Sequence, residues 1–153
     1  METTTKRPVP AREAPTRENL GFRLAKASQR WNELIHQGFS ARGYPEVRPA
    51  YGSILVPLFE EDHLRMGELA RRARLAKQTM TTMVRLLERD GLVSRSPDPT
   101  DGRAFVVSLT PRAKEFAPAA AAVLRALDEL VAERLTETQR SALHSALKEV
   151  IRL

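Results

Sequence analysis

Gln78, Thr82, Arg85 and Arg89 follow one another at steps of four, three and four residues, a spacing that places all four on one face of a helix. Lys77 opens the segment, and Thr79 and Thr81 flank the row. Such a face suits the major groove of duplex DNA. Arg and Gln can each pair twice with a base edge, and Thr can reach phosphates or thymine methyl groups. An ordinary solvated helix face is the plainer reading of the same residues, and the row alone does not decide between the two.

A second set of residues follows shortly after. Asp101 and Arg103 sit in a turn-rich stretch, Pro97-Asp-Pro-Thr-Asp-Gly102, between two strand-like runs, and Arg95 lies on the first run. Between Arg65 and Arg112 the chain holds ten Lys or Arg against five Asp or Glu, which is most of its formal net charge of +6. A basic hairpin directly after a groove-reading helix can reach the neighbouring minor groove, where a narrow A·T-rich stretch attracts an arginine. Arg103 is the candidate for that role, and Asp101 is expected to orient its guanidinium through a charge-assisted hydrogen bond.

Other chemistries find little support. The chain has no cysteine, which removes disulfides, thiolate metal sites, cysteine nucleophiles and thiol redox sensing. Its three histidines, His36, His63 and His144, are far apart and form no paired ligand spacing. No phosphate-binding glycine loop, zinc-hydrolase signature or serine elbow is present, so no catalytic residue, metal or cofactor is expected and the chain does not read as an enzyme. Residues 1–17 contain no apolar run long enough for a signal peptide or a membrane span. A cytoplasmic location without a membrane partner is the expectation.

The elements that must position these residues can be read in order. With 153 residues and 42% hydrophobic content the chain has material for one packed domain plus tails. Residues 1–16, with Pro8, Pro10 and Pro15, read as a flexible tail. Leu20, Leu24, Ala27, Trp31, Leu34 and Ile35 recur at helical steps, predicting a long amphipathic helix that stops near Gly43. A second helix is expected from Pro49, carrying Tyr51, Ile54, Leu55, Leu58 and Phe59, with a kink or shortening at Pro57. Helices over 66–73 and 77–90, joined by a turn of about three residues, have the layout of a helix-turn-helix. Gly91 stops the second of them, and 92–96 and 103–109 form a hairpin. Thr110 and Pro111 open an apolar-rich helix that Pro118 is expected to bend. Thr136 and Gln139 form a capping-box pattern before a last helix.

The run Asp98-Pro-Thr-Asp-Gly-Arg103, followed by Val106-Val-Ser-Leu-Thr110, resembles the wing signature of the MarR family of transcription regulators. Gly91-Leu-Val-Ser-Arg95, Gly67-Glu-Leu-Ala-Arg-Arg-Ala73 and Lys77-Gln-Thr-Met-Thr81 are similar to the start of that wing and to the family's helix-turn-helix. The similarity in order and spacing extends over about residues 18–152. Two places depart from it: Arg74 stands where the family often has Gly, and Ala76 where it often has the Ser or Thr that caps the reading helix.

The resemblance implies a mainly α fold with a small β wing, a winged helix-turn-helix over 49–110 flanked by dimerisation helices over 17–43 and 111–153. It implies a homodimer on double-stranded DNA whose two-fold symmetry calls for a pseudopalindromic operator. It also implies a small aromatic or phenolic effector bound between the dimerisation lobe and the winged lobe, with Trp31, His36, Arg48 and Tyr51 as candidate contacts. A DNA-binding or architectural protein that needs no ligand is the alternative.

Overall fold

The computed structural model describes residues 14–153, and most of the tail expected over 1–16 lies outside them. The described residues divide into two compact units, one ending at Leu34 and the other spanning Ile35–Leu153. Helix α1 spans Leu20–Ala41. Its start is capped by Asn19, whose Oδ1 accepts from the N–H of Gly21 at 2.9 Å. Within the first unit the charged face is tied by an Arg23–Glu18 ion pair and an Arg30–Glu33 pair at 3.2 Å.

The second unit begins in the last turns of α1, where the helix meets α5, Pro111–Ala132. Phe39 stands edge-on to Phe116 with ring centroids 4.8 Å apart. A Cβ at Gly38 would lie 2.6 Å from Val123 Cγ1, so only glycine allows this approach of the two helices. The helix ends where it was expected to. Gly43 takes a positive φ of 88°, and the N–H of Tyr44 returns to the carbonyl of Phe39 at 3.0 Å.

Pro49–Tyr51 is a 3-10 turn rather than the first turn of an α-helix, and α2 follows over Gly52–Glu60. Pro57 lies inside α2, which ends three residues after it, in keeping with the expected shortening. Helices α3, Met66–Ala73, and α4, Lys77–Arg89, form the helix-turn-helix. Arg74 closes α3 in the left-handed conformation, φ 53° and ψ 41°, a cost that glycine would avoid. Ile54, Leu55 and Leu58 of α2, Leu69 of α3 and Met80, Val84 and Leu87 of α4 are all buried in the core.

Gly91, φ 74°, ends the reading helix, and the buried Leu92 leads into β2, Val93–Pro97. Strand β3, Phe105–Leu109, pairs with it antiparallel, Arg95 opposite Val107. A third strand that the sequence did not announce, β1 at Leu64–Arg65, pairs with the other edge of β3, so the order is β1-β3-β2. Thr110 caps α5, accepting from the N–H of Ala113 at 3.2 Å, and Pro118 sits inside that helix without ending it. Helix α6, Glu137–Ile151, carries the expected capping box between Thr136 and Gln139 and has no buried residue.

Candidate nucleic-acid interface

Helix α4 is seated by one face only. Met80, Val84 and Leu87 are buried, whereas Gln78, Thr79, Thr82, Arg85 and Arg89 are exposed and Thr81 is half-buried. The expected row is therefore on the solvent side of a helix whose other side is fixed in the core. Ala76, at the N-cap position, has extended backbone and no side-chain hydrogen bond, and no acidic residue occupies the first turn. Lys77 thus stands at the positive end of the helix dipole, where it is disfavoured in the free protein and where an anion would offset it.

The two threonines have a narrower chemistry than their types alone suggest. Thr81 Oγ1 donates to the carbonyl of Lys77 at 2.9 Å, and Thr82 Oγ1 donates to that of Gln78 at 3.1 Å. With its proton committed to the backbone, each hydroxyl presents lone pairs and a methyl group. That suits a base N–H or a thymine methyl better than a phosphate oxygen, which needs a donor.

Much of the acidity around α4 and the wing is already paired. Glu68 accepts from Arg71 and Arg72, whose guanidinium hydrogen bonds bring its carboxyl down to about 2. Glu88 Oε1 accepts from Arg95 Nε at 2.9 Å, and the Arg95 guanidinium lies 5.3 Å from the centre of the Phe105 ring. Asp90 accepts from Tyr51 Oη at 2.5 Å and from Arg89 Nε at 3.1 Å. Burial opposes ionisation of Asp90, yet these two donors hold its carboxyl below the ordinary value. Among the described residues, Lys77, Arg85 and Arg103 have no carboxylate within ion-pair distance, so their charge faces outward. Arg95 and Arg89 are tethered, and their contribution is a fixed one.

Asp101 does not pair with the Arg103 guanidinium as expected. Its Oδ1 accepts from the backbone N–H of Arg103 at 3.0 Å, so the carboxylate shapes the turn and leaves the guanidinium exposed. The residue that sequence reasoning missed is Asp98, buried at the base of the wing tip and ion-paired to Arg65. Its signal was the spacing Asp98-Pro-Thr100, which permits a carboxylate to cap the N–H two residues on. A cleft of about 680 Å³ separates α3 and the start of α4 from the wing, with Met66, Met80, Thr81, Arg95 and Phe105 in its walls.

The four candidate effector contacts do not line that cleft. Trp31, in the first unit, is half-buried. In the second unit His36 and Arg48 are exposed, whereas Tyr51 is 1% exposed with its hydroxyl committed to Asp90. Burial first, then that hydrogen bond, raise the Tyr51 phenol above its usual value.

Comparison with known proteins fits this geometry. Residues 49–105, from the 3-10 turn through the first residue of β3, match the model of the MarR family. The HTH-type transcriptional repressor Rv2887 of Mycobacterium tuberculosis is 36% identical over 115 residues, covering 69% of this chain and 83% of the repressor. The PcaV transcriptional regulator of Streptomyces coelicolor, solved with its natural ligand, superposes with a TM-score of 0.76 at 18% identity, covering 91% of this chain and 96% of PcaV. The transcriptional repressor CouR, solved on a 23-mer DNA duplex, gives 0.75 at 24% identity, covering 88% and 93%. These two likenesses show a shared fold. With the family model matched across the reading head, and a repressor alike over most of its length, this chain belongs to the MarR family and is a transcription regulator rather than an enzyme.

Proposed function

We propose that the protein is a repressor that binds a pseudopalindromic operator as a homodimer, each copy placing α4 in a major groove and its wing in the adjacent minor groove. The observation that carries this reading is the outer face of α4, where Gln78, Thr82 and Arg85 are exposed on a helix buried along its opposite side. Lys77, Gln78, Thr79, Thr81, Thr82 and Arg85 are the proposed groove contacts, with Arg95 near the base of the wing. Arg103 is the proposed minor-groove arginine, and Asp101 supports its backbone. Two-fold symmetry sets half-sites about one helical turn apart.

The dimer is assigned to 17–43 and 111–153 and the reading head to 49–110. Leu143, Leu147 and Ile151 of α6, and Leu124 and Leu130 of α5, are exposed apolar residues that a second copy would cover. A small aromatic acid or phenol is the proposed effector. His36 and Arg48 offer cationic or polar exposed groups for it and Trp31 an aromatic face, whereas Tyr51 enters only if its bond to Asp90 opens. Release of DNA then requires the effector to favour the non-binding arrangement of the heads. PcaV's bound ligand and CouR's bound duplex support this assignment by analogy of fold. The cytoplasm is the proposed place of action.

The test is Arg103→Ala. Operator affinity falls at least tenfold by fluorescence anisotropy while light scattering still reports a dimer. Unchanged affinity removes Arg103 from the interface. Coating of any duplex in proportion to its length, in place of one short palindromic footprint, supports the architectural reading.

A further inference from the structure

Asp98 is the buried charged side chain of the described core, 5% exposed, directly after β2. A carboxylate taken out of water persists only with full compensation, and here it is compensated by a closed ring of three side chains. Asp98 Oδ1 accepts from the N–H and from the Oγ1 of Thr100, both at 2.8 Å. Asp98 Oδ2 is ion-paired with Arg65 Nε. Arg65 Nη2 in turn donates to Thr100 Oγ1 at 2.8 Å, so the hydroxyl gives one bond and receives one.

The ring joins two places that the backbone ladder leaves apart. Arg65 belongs to β1, where it faces Val106 across the ladder, and β1 lies on the edge of β3 away from β2. Asp98 and Thr100 belong to the tip that leaves β2. The tip itself is closed by the N–H of Asp98 on the carbonyl of Ala104 at 2.9 Å and the N–H of Ala104 on that of Asp101 at 3.0 Å. Arg103 is the residue before Ala104, inside this closed segment.

We propose that Arg65, Asp98 and Thr100 are positioning residues for DNA recognition: together they fix the wing tip against β1 and so aim Arg103. The inference rests on the reading of α4 and the wing as the DNA-binding surface. The Thr100 N–H first, and then its hydroxyl, hold the Asp98 carboxyl below the ordinary carboxylate pKa, as a carboxylate kept in its ionised form by the ring requires. Arg65 is basic and partly exposed, so a direct phosphate contact would be the rival explanation for any loss on changing it. Asp98 separates the two by sign. Removing an acid from a DNA-facing wing strengthens binding if charge alone matters; it weakens binding if the acid positions the tip.

The experiment uses the full chain and a duplex enriched from random sequence by the wild-type protein. Asp98→Asn and Thr100→Val each weaken binding about fivefold or more, and the same changes made on Arg103→Ala add little, because the residue they aim is gone. Thr100→Val changes no charge, and it is the variant to read if circular dichroism shows Asp98→Asn to be unfolded. Stronger or unchanged binding by folded Asp98→Asn, or an equal loss with and without Arg103, overturns the inference. If the wild-type protein enriches no duplex, the DNA-binding reading fails and this inference with it. If the wild type binds and Arg103→Ala weakens it while Asp98→Asn and Thr100→Val do not, the inference alone falls.

Discussion

At the scale of single residues, the interface is defined as much by what is already engaged as by what is exposed. Lys77, Gln78, Arg85 and Arg103 keep their donors for a partner, whereas Arg65, Arg89 and Arg95 spend theirs on Asp98, Asp90 and Glu88. Gln78 carries an amide on the exposed face, with a donor and an acceptor side by side, so it is suited to specify an adenine. Gln78→Ala is expected to relax preference at one base pair per half-site, costing about 1–3 kcal/mol against the preferred base alone, as measured by binding to a panel of single-substituted operators. Uniform loss over the panel would reassign Gln78 to phosphate. The exposed row on α4 was legible because helical spacing alone dictates it. The burial of Asp98 was not: the Asp98-Pro-Thr100 spacing permits a turn-capping carboxylate, but nothing in it distinguishes a buried aspartate from the many that face water, and its partner Arg65 lies 33 positions away on a strand too short to announce itself.

At the scale of elements, the start of α4 shows a compromise between folding and binding. Ala76 leaves the first-turn N–H groups without a side-chain acceptor. Ala76→Ser supplies one and is expected to stabilise the protein by about 1 kcal/mol, raising Tm by roughly 2–4 °C in a thermal melt. The same hydroxyl competes for the N–H groups that a phosphate would use, so DNA affinity does not rise with stability. An affinity gain matching the Tm gain would show that the end of the helix meets no phosphate. Helix boundaries marked by Gly43, Gly91, Thr110 and Thr136 could be read in advance, since each residue type performs its capping function locally. The 3-10 turn at Pro49 and strand β1 could not. Three residues and two residues are too short to carry a period, and both owe their form to the tertiary neighbours against which they lie.

At the scale of the whole molecule, acid and concentration are the informative variables. Asp62 and Asp98 both titrate below the ordinary aspartate value of 3.8. Burial works against ionised Asp62, but the N–H groups of Leu109 and His63 and the Lys114 ammonium prevail. A folded-state value below the unfolded one means that the stabilisation is present above 3.8 and drains away as the pH falls through the lower folded values. Tm is therefore expected to be nearly flat from about pH 7 to 5 and to drop below about pH 4. Asp98→Asn makes that drop shallower; a drop of the same depth in the variant would place the acid sensitivity elsewhere.

Helix α6 completes its turns and its capping box without burying a single residue. If a second copy supplies the missing cover, the supply of protein sets the lifetime of each molecule. A dilution series in calorimetry then shows Tm climbing with protein concentration by mass action, and a Tm independent of dilution would mean that α6 stands unaided. In a cell, scarce copies would spend longer uncovered and within reach of proteases, so a fall in supply would also shorten the survival of the copies that remain.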